Sequence, residues 1–495
     1  MSKIIIQNGN MCELDLPLKF AQKLYNEFAI RHPNAFYLRT RQRGMQNWDG
    51  KIHYITKTGQ FKIGLLPKVY DMCIEMGIKP KVVDMRQPLP KVSKVVTKIG
   101  KYKLRPEQEK AVKAVINNTI GGKPFHIGVL DYTVNAGKTL IMSSLYLSYK
   151  KQLKTLLITN DSDWLNQARE EFKQYLPGED ITFVQGKVLN WSNFTIGMVQ
   201  SISRNMRLYQ KELSQIDMVL VDEADQGGSK QYQNVITRLF NTRIRIGLSG
   251  TIYMSKLAKD KVKNMNLECF FGKVIAEFKL KDSIKKGYST KTIVKMVPGK
   301  PWYGNWESDC ISYKEIYDDS ITENNTAWTM AYNRLRWNIN QGRYPALVVC
   351  KHIAHCENLY KFFKKKLGDA YNIAYVHVNT PSKLRQQIMR DFREGKIDIL
   401  VSTTIIARGK NFPKLRYLLN AASMDSQEKS IQFLGRLVRT DKSKKKVYLD
   451  DLHYPGPYLD RHGKHRKQYY QRQELKVILL DKLWKKHPNH SLIKS

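Results

Sequence analysis

Two α/β domains in tandem, each built on a parallel sheet, are the fold class this sequence predicts. A small α+β domain precedes them and a short helical extension follows. Three observations carry that expectation. Apolar, β-branched runs alternate with helical segments in two successive series. The length, 495 residues, suits about three domains at roughly 100–200 residues each. A composition 42% hydrophobic and 11% aromatic supplies their cores and excludes charge-driven disorder.

The elements follow in chain order. Apolar residues at positions 18, 20, 21, 24, 25 and 28 make a helical stripe over Leu18–Phe28. Short strands are expected at Ala35–Arg39 and Lys51–Thr56, with turns at Asp49-Gly50 and Thr58-Gly59, and a second helix over Pro67–Gly77. Residues 80–100 hold three prolines among many lysines, which predicts a linker. The first α/β series then places strands at His126–Leu130, Thr155–Thr159, Thr195–Val199, Met218–Val221 and Arg245–Leu248. After a polar stretch near 299–327, the second places them at Ala346–Cys350, Ile373–His377, Ile399–Ser402, Tyr417–Ala421 and Lys446–Asp450. The expected domains are residues 1–97, 98–285, 286–455 and 456–495.

Charge narrows the function. With 84 Lys+Arg against 44 Asp+Glu, the formal net charge is +40, the footprint of a polyanion binder. Residues 1–100 carry 17 basic and 7 acidic residues, and residues 441–495 carry 14 and 6. More than half of the excess therefore lies between them, which fits a groove running across several domains. No apolar run reaches the ~18 residues of a transmembrane helix, and the opening segment is too short for a secretory signal. A soluble, cytoplasmic protein without a membrane partner is expected. Six scattered cysteines without a CxxC pair argue against a disulfide scaffold or a zinc ribbon.

Three motifs carry chemistry. Thr133-Val-Asn-Ala-Gly-Lys-Thr139 lies between an apolar strand and an apolar helix, the setting of a phosphate loop. Backbone N–H groups of Asn135, Ala136 and Gly137 and the helix N-terminus would hold phosphates, Lys138 would neutralise them, and the Thr139 hydroxyl would ligate Mg²⁺. Tyr132 stands where the strict pattern has its first glycine. Downstream, Val219-Leu-Val-Asp-Glu-Ala-Asp225 is an apolar strand ending in carboxylates. There Asp222 would hold the metal and Glu223 would polarise the attacking water. In the second domain Gln432, Arg436 and Arg439 fall at i, i+4 and i+7, one face of a helix able to reach a γ-phosphate.

Phosphate loop, Asp222-Glu-Ala-Asp225, Ser249-Gly-Thr251 and Gln432-Phe-Leu-Gly-Arg436-Leu-Val-Arg439, in this order over residues 101–450, resemble superfamily 2 of the helicases and translocases. The resemblance implies two RecA-like domains, with ATP and Mg²⁺ as cofactors. Leu104-Arg-Pro-Glu-Gln108 resembles the element preceding the phosphate loop, implying Arg105 and Gln108 at the nucleotide, with Gln108 reading adenine. Thr159-Asn160, in place of the usual Pro-Thr, and Gly197-Met-Val-Gln-Ser201 resemble the elements that contact a nucleic-acid backbone, implying Asn160, Gln200 and Ser201 there. Ser402-Thr-Thr-Ile-Ile-Ala-Arg-Gly409-Lys-Asn411 resembles a further motif, implying Thr403 and Thr404 on the nucleic acid and Gly409 at the nucleotide. Its Asn411 replaces the usual Asp.

The ends resemble the branched-DNA helicases of T-even phages, through Phe36-Tyr-Leu-Arg-Thr, Asn47-Trp-Asp-Gly-Lys51, Gly64-Leu-Leu-Pro67, Lys351-His-Ile-Ala-His355 and His465-Arg-Lys-Gln-Tyr-Tyr470. That implies branched, forked or single-stranded DNA as partner, with Lys351 and His352 on it. It also implies action as a monomer beside replication or recombination proteins in an infected host cell. The motor motifs alone leave open an RNA helicase and a duplex translocase that separates no strands. A non-enzymatic basic scaffold would show a degraded ATP site, and this one is complete. Trp48 fits a base-stacking platform and a buried anchor equally. The metal-capable side chains of Cys350-Lys-His352-Ile-Ala-His355-Cys356 read as packing or backbone contacts rather than a zinc site. The run Lys442, Lys444, Lys445 and Lys446 reads as a solvated turn.

Overall fold

The computed structural model of the chain describes residues 2–41, 44–149, 152–186, 188–252, 260–299, 312–407 and 412–480. They fall into two units, Met1–Phe278 and Lys279–Ser495.

The first unit opens with a four-stranded sheet. β1 (Lys3–Ile6) pairs antiparallel with β2 (Met11–Asp15), and its alternating Ile4 and Ile6 are fully buried. The helix α1 (Leu18–Glu27), the strand β3 (Ala29–Arg31), the helix α2 (Ala35–Arg41) and the strand β4 (Lys51–His53) follow, with β3 antiparallel to β4. β5 (Gln60–Lys62), α3 (Leu66–Glu75) and β6 (Lys81–Asp84) complete the order β5-β2-β1-β6. Two expectations are corrected here. Ala35–Arg39 is helical, not extended: Pro33-Asn34 turns the chain and the Leu38 N–H donates to Asn34 O. The expected linker is also shorter, because Lys81–Asp84 lies parallel to β1 in the sheet.

The small sheet shares one hydrophobic core with the α/β layer beyond it. Gly64 explains the close approach, since a Cβ there would fall 2.1 Å from Glu268 O. Arg245, fully buried in mid-strand, donates to Phe270 O, to Gly9 O at 2.6 Å and to Asn10 Oδ1 at 2.8 Å. Burial, with the nearby Arg86 charge, pushes its pKa down to about 9. A buried guanidinium without a carboxylate is tolerable only while those carbonyls stay in place. Residues 1–97 are thereby fixed to the phosphate-loop domain.

Past the short hairpins β7 (Lys98–Ile99)/β8 (Tyr102–Lys103) and β9 (Thr119–Ile120)/β10 (Lys123–Pro124), with α4 (Pro106–Ile116) between them, comes the large sheet. Its strands are β11 (His126–Tyr132), β12 (Thr155–Thr159), β13 (Ile181–Gln185), β14 (Val188–Leu189), β15 (Phe194–Met198), β16 (Met218–Asp222), β17 (Ile244–Ser249) and β18 (Val274–Phe278). The order is β14-β13-β15-β12-β16-β17-β11-β18, parallel except for the short edge strand β14. Residues of β11, β12, β16 and β17 are buried throughout, as strands covered on both faces must be. The connecting helices are α5 (Lys138–Ser148), α6 (Ser162–Tyr175), α7 (Val199–Arg204), α8 (Gln210–Ser214), α9 (Lys230–Ile236) and α10 (Lys261–Phe271).

In the second unit α11 (Leu280–Lys285) leads into a seven-stranded, all-parallel sheet. β19 (Lys291–Pro298), β20 (Ala346–Cys350), β21 (Ile373–Val376), β22 (Ile399–Thr403), β23 (Tyr417–Asn420), β24 (Lys446–His453) and β25 (Lys476–Leu479) lie in the order β21-β22-β20-β23-β24-β19-β25. The helices are α12 (Tyr313–Tyr317), α13 (Asn325–Asn340), α14 (Ile353–Leu367), α15 (Ser382–Glu394), α16 (Gln427–Leu437) and α17 (Leu459–Arg472).

Consecutive residues of a strand face opposite sides, and β24 uses this at Asp450 and Asp451. Arg334 of α13 binds Asp450 at 2.6 Å, while Arg466 of α17 binds Asp451 at 2.9 Å, all four side chains at most 8% exposed. Tyr470 and Asn420 also donate to Asp451 Oδ2. Arg466, Tyr469 and Tyr470 of the basic-aromatic string are thus a packed helix face. Arg466→Ala strands a buried carboxylate, so a loss of about 3–5 kcal/mol is expected, read as a lower urea midpoint. An unchanged midpoint would remove this pair from the account of stability. Lys444 is corrected too. It is buried, and its ammonium donates to Leu415 O and Leu437 O; burial pushes its pKa down to about 8. Among the described residues no helix is long and apolar enough to cross a membrane.

Candidate nucleotide site and nucleic-acid track

β11 delivers the loop Thr133–Gly137 to the start of α5. Tyr132, in the place of the missing glycine, ends the strand with its ring buried and its hydroxyl on Glu107 O. The loop needs left-handed backbone at Asn135, φ 66°, and at Gly137, φ 73°. At Gly137 a Cβ would also lie 2.3 Å from Gln108 Nε2, so glycine suits both the conformation and the space. Arg105 and Gln108 grip this loop from α4: the Arg105 guanidinium donates to Asn135 O at 3.0 Å, and the Gln108 amide to Ala136 O at 2.8 Å. Gln108 Oε1 in turn accepts from the Arg105 N–H. The glutamine expected at adenine sits on the phosphate loop itself.

Lys138, the first residue of α5, lies 3.5 Å from Asp222 at the end of β16. Burial works against its charge, yet Asp222, Glu223 and Asp225 together hold its pKa above the ordinary lysine value. Glu223 adopts φ 51°, left-handed backbone that a non-glycine residue takes only under constraint. The turn beyond it is tied down by Ser249, whose hydroxyl donates to Asp225 Oδ1 at 2.8 Å and lies 3.1 Å from the Thr251 hydroxyl. Acidic turn and Ser249-Gly-Thr251 therefore form one hydrogen-bonded edge. Asp222 Oδ1, the oxygen 3.5 Å from the Lys138 ammonium, is buried and has no closer polar partner among the described residues. With the Thr139 hydroxyl it offers hard oxygen donors, a set that fits Mg²⁺.

On the same unit, Gln200 Nε2 reaches Asn160 O at 3.4 Å, so two of the expected backbone-contacting residues meet at neighbouring strand ends. Ser201 is buried, and its hydroxyl accepts from the Gly186 N–H at 2.9 Å. It is bound to the fold rather than presented on the surface. Trp48, half-buried, donates its indole N–H to Lys51 O.

In the second unit β20 and β22 run side by side with Cys350 opposite Thr403. Lys351, His352 and Thr404 therefore emerge at one edge. The Lys351 ammonium sits 4.0 Å over the Tyr313 ring, while His352 caps α14 against Tyr317. Lys429 of α16 donates to the Thr404 hydroxyl at 3.0 Å. Sequence reading missed Lys429, although it lies three residues before Gln432 on the same helix face. His355, Cys350 and Cys356 are buried packing residues, and burial with the neighbouring His352 drops the His355 pKa to about 3.

Gln432 and Arg436 lie on α16, both half-buried. Arg439 corrects the expected helical row, because α16 ends at Leu437. The Val438 and Arg439 carbonyls accept from the Thr290 N–H and hydroxyl instead of continuing the helix. Gly409 and Asn411 lie outside the described residues.

A phosphate loop braced against an acidic strand end, on a parallel sheet, with a second parallel-sheet unit carrying the arginines, defines a two-domain motor ATPase. Residues 101–254 match the type III restriction enzyme res subunit family, and residues 331–441 the helicase conserved C-terminal domain. These two matches, one in each unit, give the chain the domain pair of the superfamily 2 ATP-dependent helicases, which it resembles. It is 23% identical over 378 residues to the putative ATP-dependent helicase IRC3 of Saccharomyces cerevisiae, covering 70% of this chain and 51% of that one. The chain thus spans about half the length of this yeast relative. It resembles the ATP-dependent DNA helicase uvsW of Enterobacteria phage T4 at 21% identity over 436 residues, covering 82% of each. Among solved structures, a fragment of a putative HsdR subunit of a type I restriction enzyme from Vibrio vulnificus YJ016 superposes with TM-score 0.58 at 15% identity, over 87% of this chain and 78% of that one. That likeness shows the fold, two RecA-like domains.

Proposed function

We propose that the chain is an ATP-driven DNA motor that remodels branched DNA by fork regression, branch migration and annealing, in phage recombination and replication. The observation that carries the DNA reading is the similarity to a phage DNA helicase over 82% of both chains. The basic N-terminal domain supports the branched substrate, because Arg245 fixes it to the ATP-binding unit.

In this reading Lys138, Thr139 and backbone N–H groups from Asn135 to Gly137 hold the ATP phosphates, and Thr139 and Asp222 hold Mg²⁺. The ion, when bound, neutralises charge on the β- and γ-phosphate oxygens. Arg105 and Gln108 carry the loop's shape beside the adenine, and the Gly409 segment is assigned to the nucleotide by its motif alone. Glu223 orients and deprotonates the attacking water. Arg436 and Arg439 supply the positive charge that the transition state needs, and Gln432 on the same helix as Arg436 offers an amide donor beside it. Asn160, Gln200, Lys351, His352, Thr403 and Thr404 grip backbone phosphates while Ser201 holds the neighbouring Gly186 turn, and nucleotide-driven closure shifts the grips in turn. Binding is then strongly salt-dependent and weakly sequence-dependent. The chain acts as a monomer in the cytoplasm of the infected cell, beside replication or recombination proteins.

The test is a strand-labelled synthetic fork with the full chain and ATP. ATP-dependent regression or branch migration is expected, with little action on a matched RNA fork. Faster action on RNA would make it an RNA helicase. ATP consumption on duplex without any strand exchange would make it a translocase.

A further inference from the structure

Between β3 and β4 the chain leaves the small domain and returns, and α2 sits on that excursion. Its base is closed by the His32 N–H on Gly50 O, its far limb by the Trp48 N–H on Lys51 O, with the Trp48 ring edge-on to His32 at 5.7 Å. Trp48 is therefore the brace of the loop. On the outer side of α2, Phe36 is 80% and Tyr37 55% exposed. A seven-residue helix gains nothing from two aromatic rings in water. Arg39 and Arg41 on the same helix are exposed as well, the Arg41 guanidinium 4.9 Å over the Tyr37 ring, and Arg31 and Lys51 are exposed where β3 pairs with β4 at the base of the excursion. The sole acid between Glu27 and Asp71 is Asp49, which is 2.7 Å from His53.

We propose that this face of α2 is a base-stacking surface, on which Phe36 and Tyr37 meet the open π-face of an unpaired or terminal base at a DNA branch. Arg39 and Arg41 hold the flanking phosphates. The inference rests on the DNA-motor reading and names where the branch is recognised. Exposed aromatic rings and exposed arginines on one helix fit bases joined by phosphates, whereas phosphate alone would need the cations only. A continuous duplex offers no open base face, so the surface distinguishes a branch from uninterrupted duplex.

The experiment uses the full chain and a fork carrying 2-aminopurine at its first unpaired position. Binding should quench the probe. Phe36→Ala/Tyr37→Ala should abolish the quench and weaken fork binding about 5- to 150-fold for each stacked base lost, with duplex of equal length affected less than twofold. Phe36→Trp should retain the quench. Arg39→Ala and Arg41→Ala should each lower the salt slope by about one while sparing it. Unchanged quench and fork affinity in the double variant overturn the proposal, while DNA-stimulated ATP turnover by the wild type would leave the motor reading standing. Without that turnover in the wild type, the motor reading fails instead. Unaltered fork binding with altered sedimentation would make the face a protein-docking surface, which also overturns the proposal.

Discussion

Lys138→Ala is expected to abolish DNA-stimulated ATP hydrolysis while leaving DNA affinity within about twofold. Lys138 stands at the N-terminus of α5, and its charge is maintained by three carboxylates of the acidic turn. No other lysine follows the loop Thr133–Gly137 into α5. Removing one preorganised donor from a reacting group costs about 10²–10³ in turnover, and this position also supplies a full charge. A steady-state assay at saturating ATP reads the effect, and a salt titration of DNA binding checks that the track is intact. Turnover retained at the wild-type rate would sink the phosphate-loop assignment.

The second large effect is expected at Arg436. If it stabilises the transferring γ-phosphate, Arg436→Ala lowers kcat by about 10³–10⁵, with ATP affinity changed far less. Arg436→Lys should not rescue, because an ammonium lacks the planar, multi-donor fork. That failure of the conservative variant separates a transition-state role from simple packing of α16. Normal hydrolysis in Arg436→Ala would refute the proposed use of the second unit's arginines. Arg439, held past the helix end by Thr290, should show the same direction.

The parallel strands were legible because burial on both faces makes them continuous apolar runs. Those at Thr155–Thr159 and Ala346–Cys350 fall where the composition places them. Among the strands that were missed, Val274–Phe278 and Lys476–Leu479 lie at sheet edges, and Lys291–Pro298 carries lysines at its first and fifth positions. Ala35–Arg39 misleads because Phe36 and Tyr37 have strand-type side chains but no partner strand. The candidate nucleotide site was proposed from sequence because the loop Thr133–Thr139 and the run Asp222–Asp225 are each unbroken motifs at a strand end.

Residues whose meaning depends on distant partners were not readable. Arg466 looks like solvated charge until Asp451 meets it, and Lys444 until two carbonyls enclose it. Arg245 shows the same for domain organisation. Its acceptors Gly9 and Asn10 lie some 235 residues away in sequence, so removing residues 1–97 would strip the motor unit of part of its core. Point variants on the surface of that domain are the sounder probe of its role.

The central claim is that ATP hydrolysis at the Lys138–Asp222 site is coupled to a branched-DNA phosphate track. Its most direct test is the ATP turnover of the full chain across equimolar single-stranded, duplex, forked and four-way DNA, with matched RNA. Stimulation greatest on forked and four-way DNA, falling steeply with salt, is the expected result. Turnover indifferent to nucleic acid, or stimulated equally by every polymer, would contradict it.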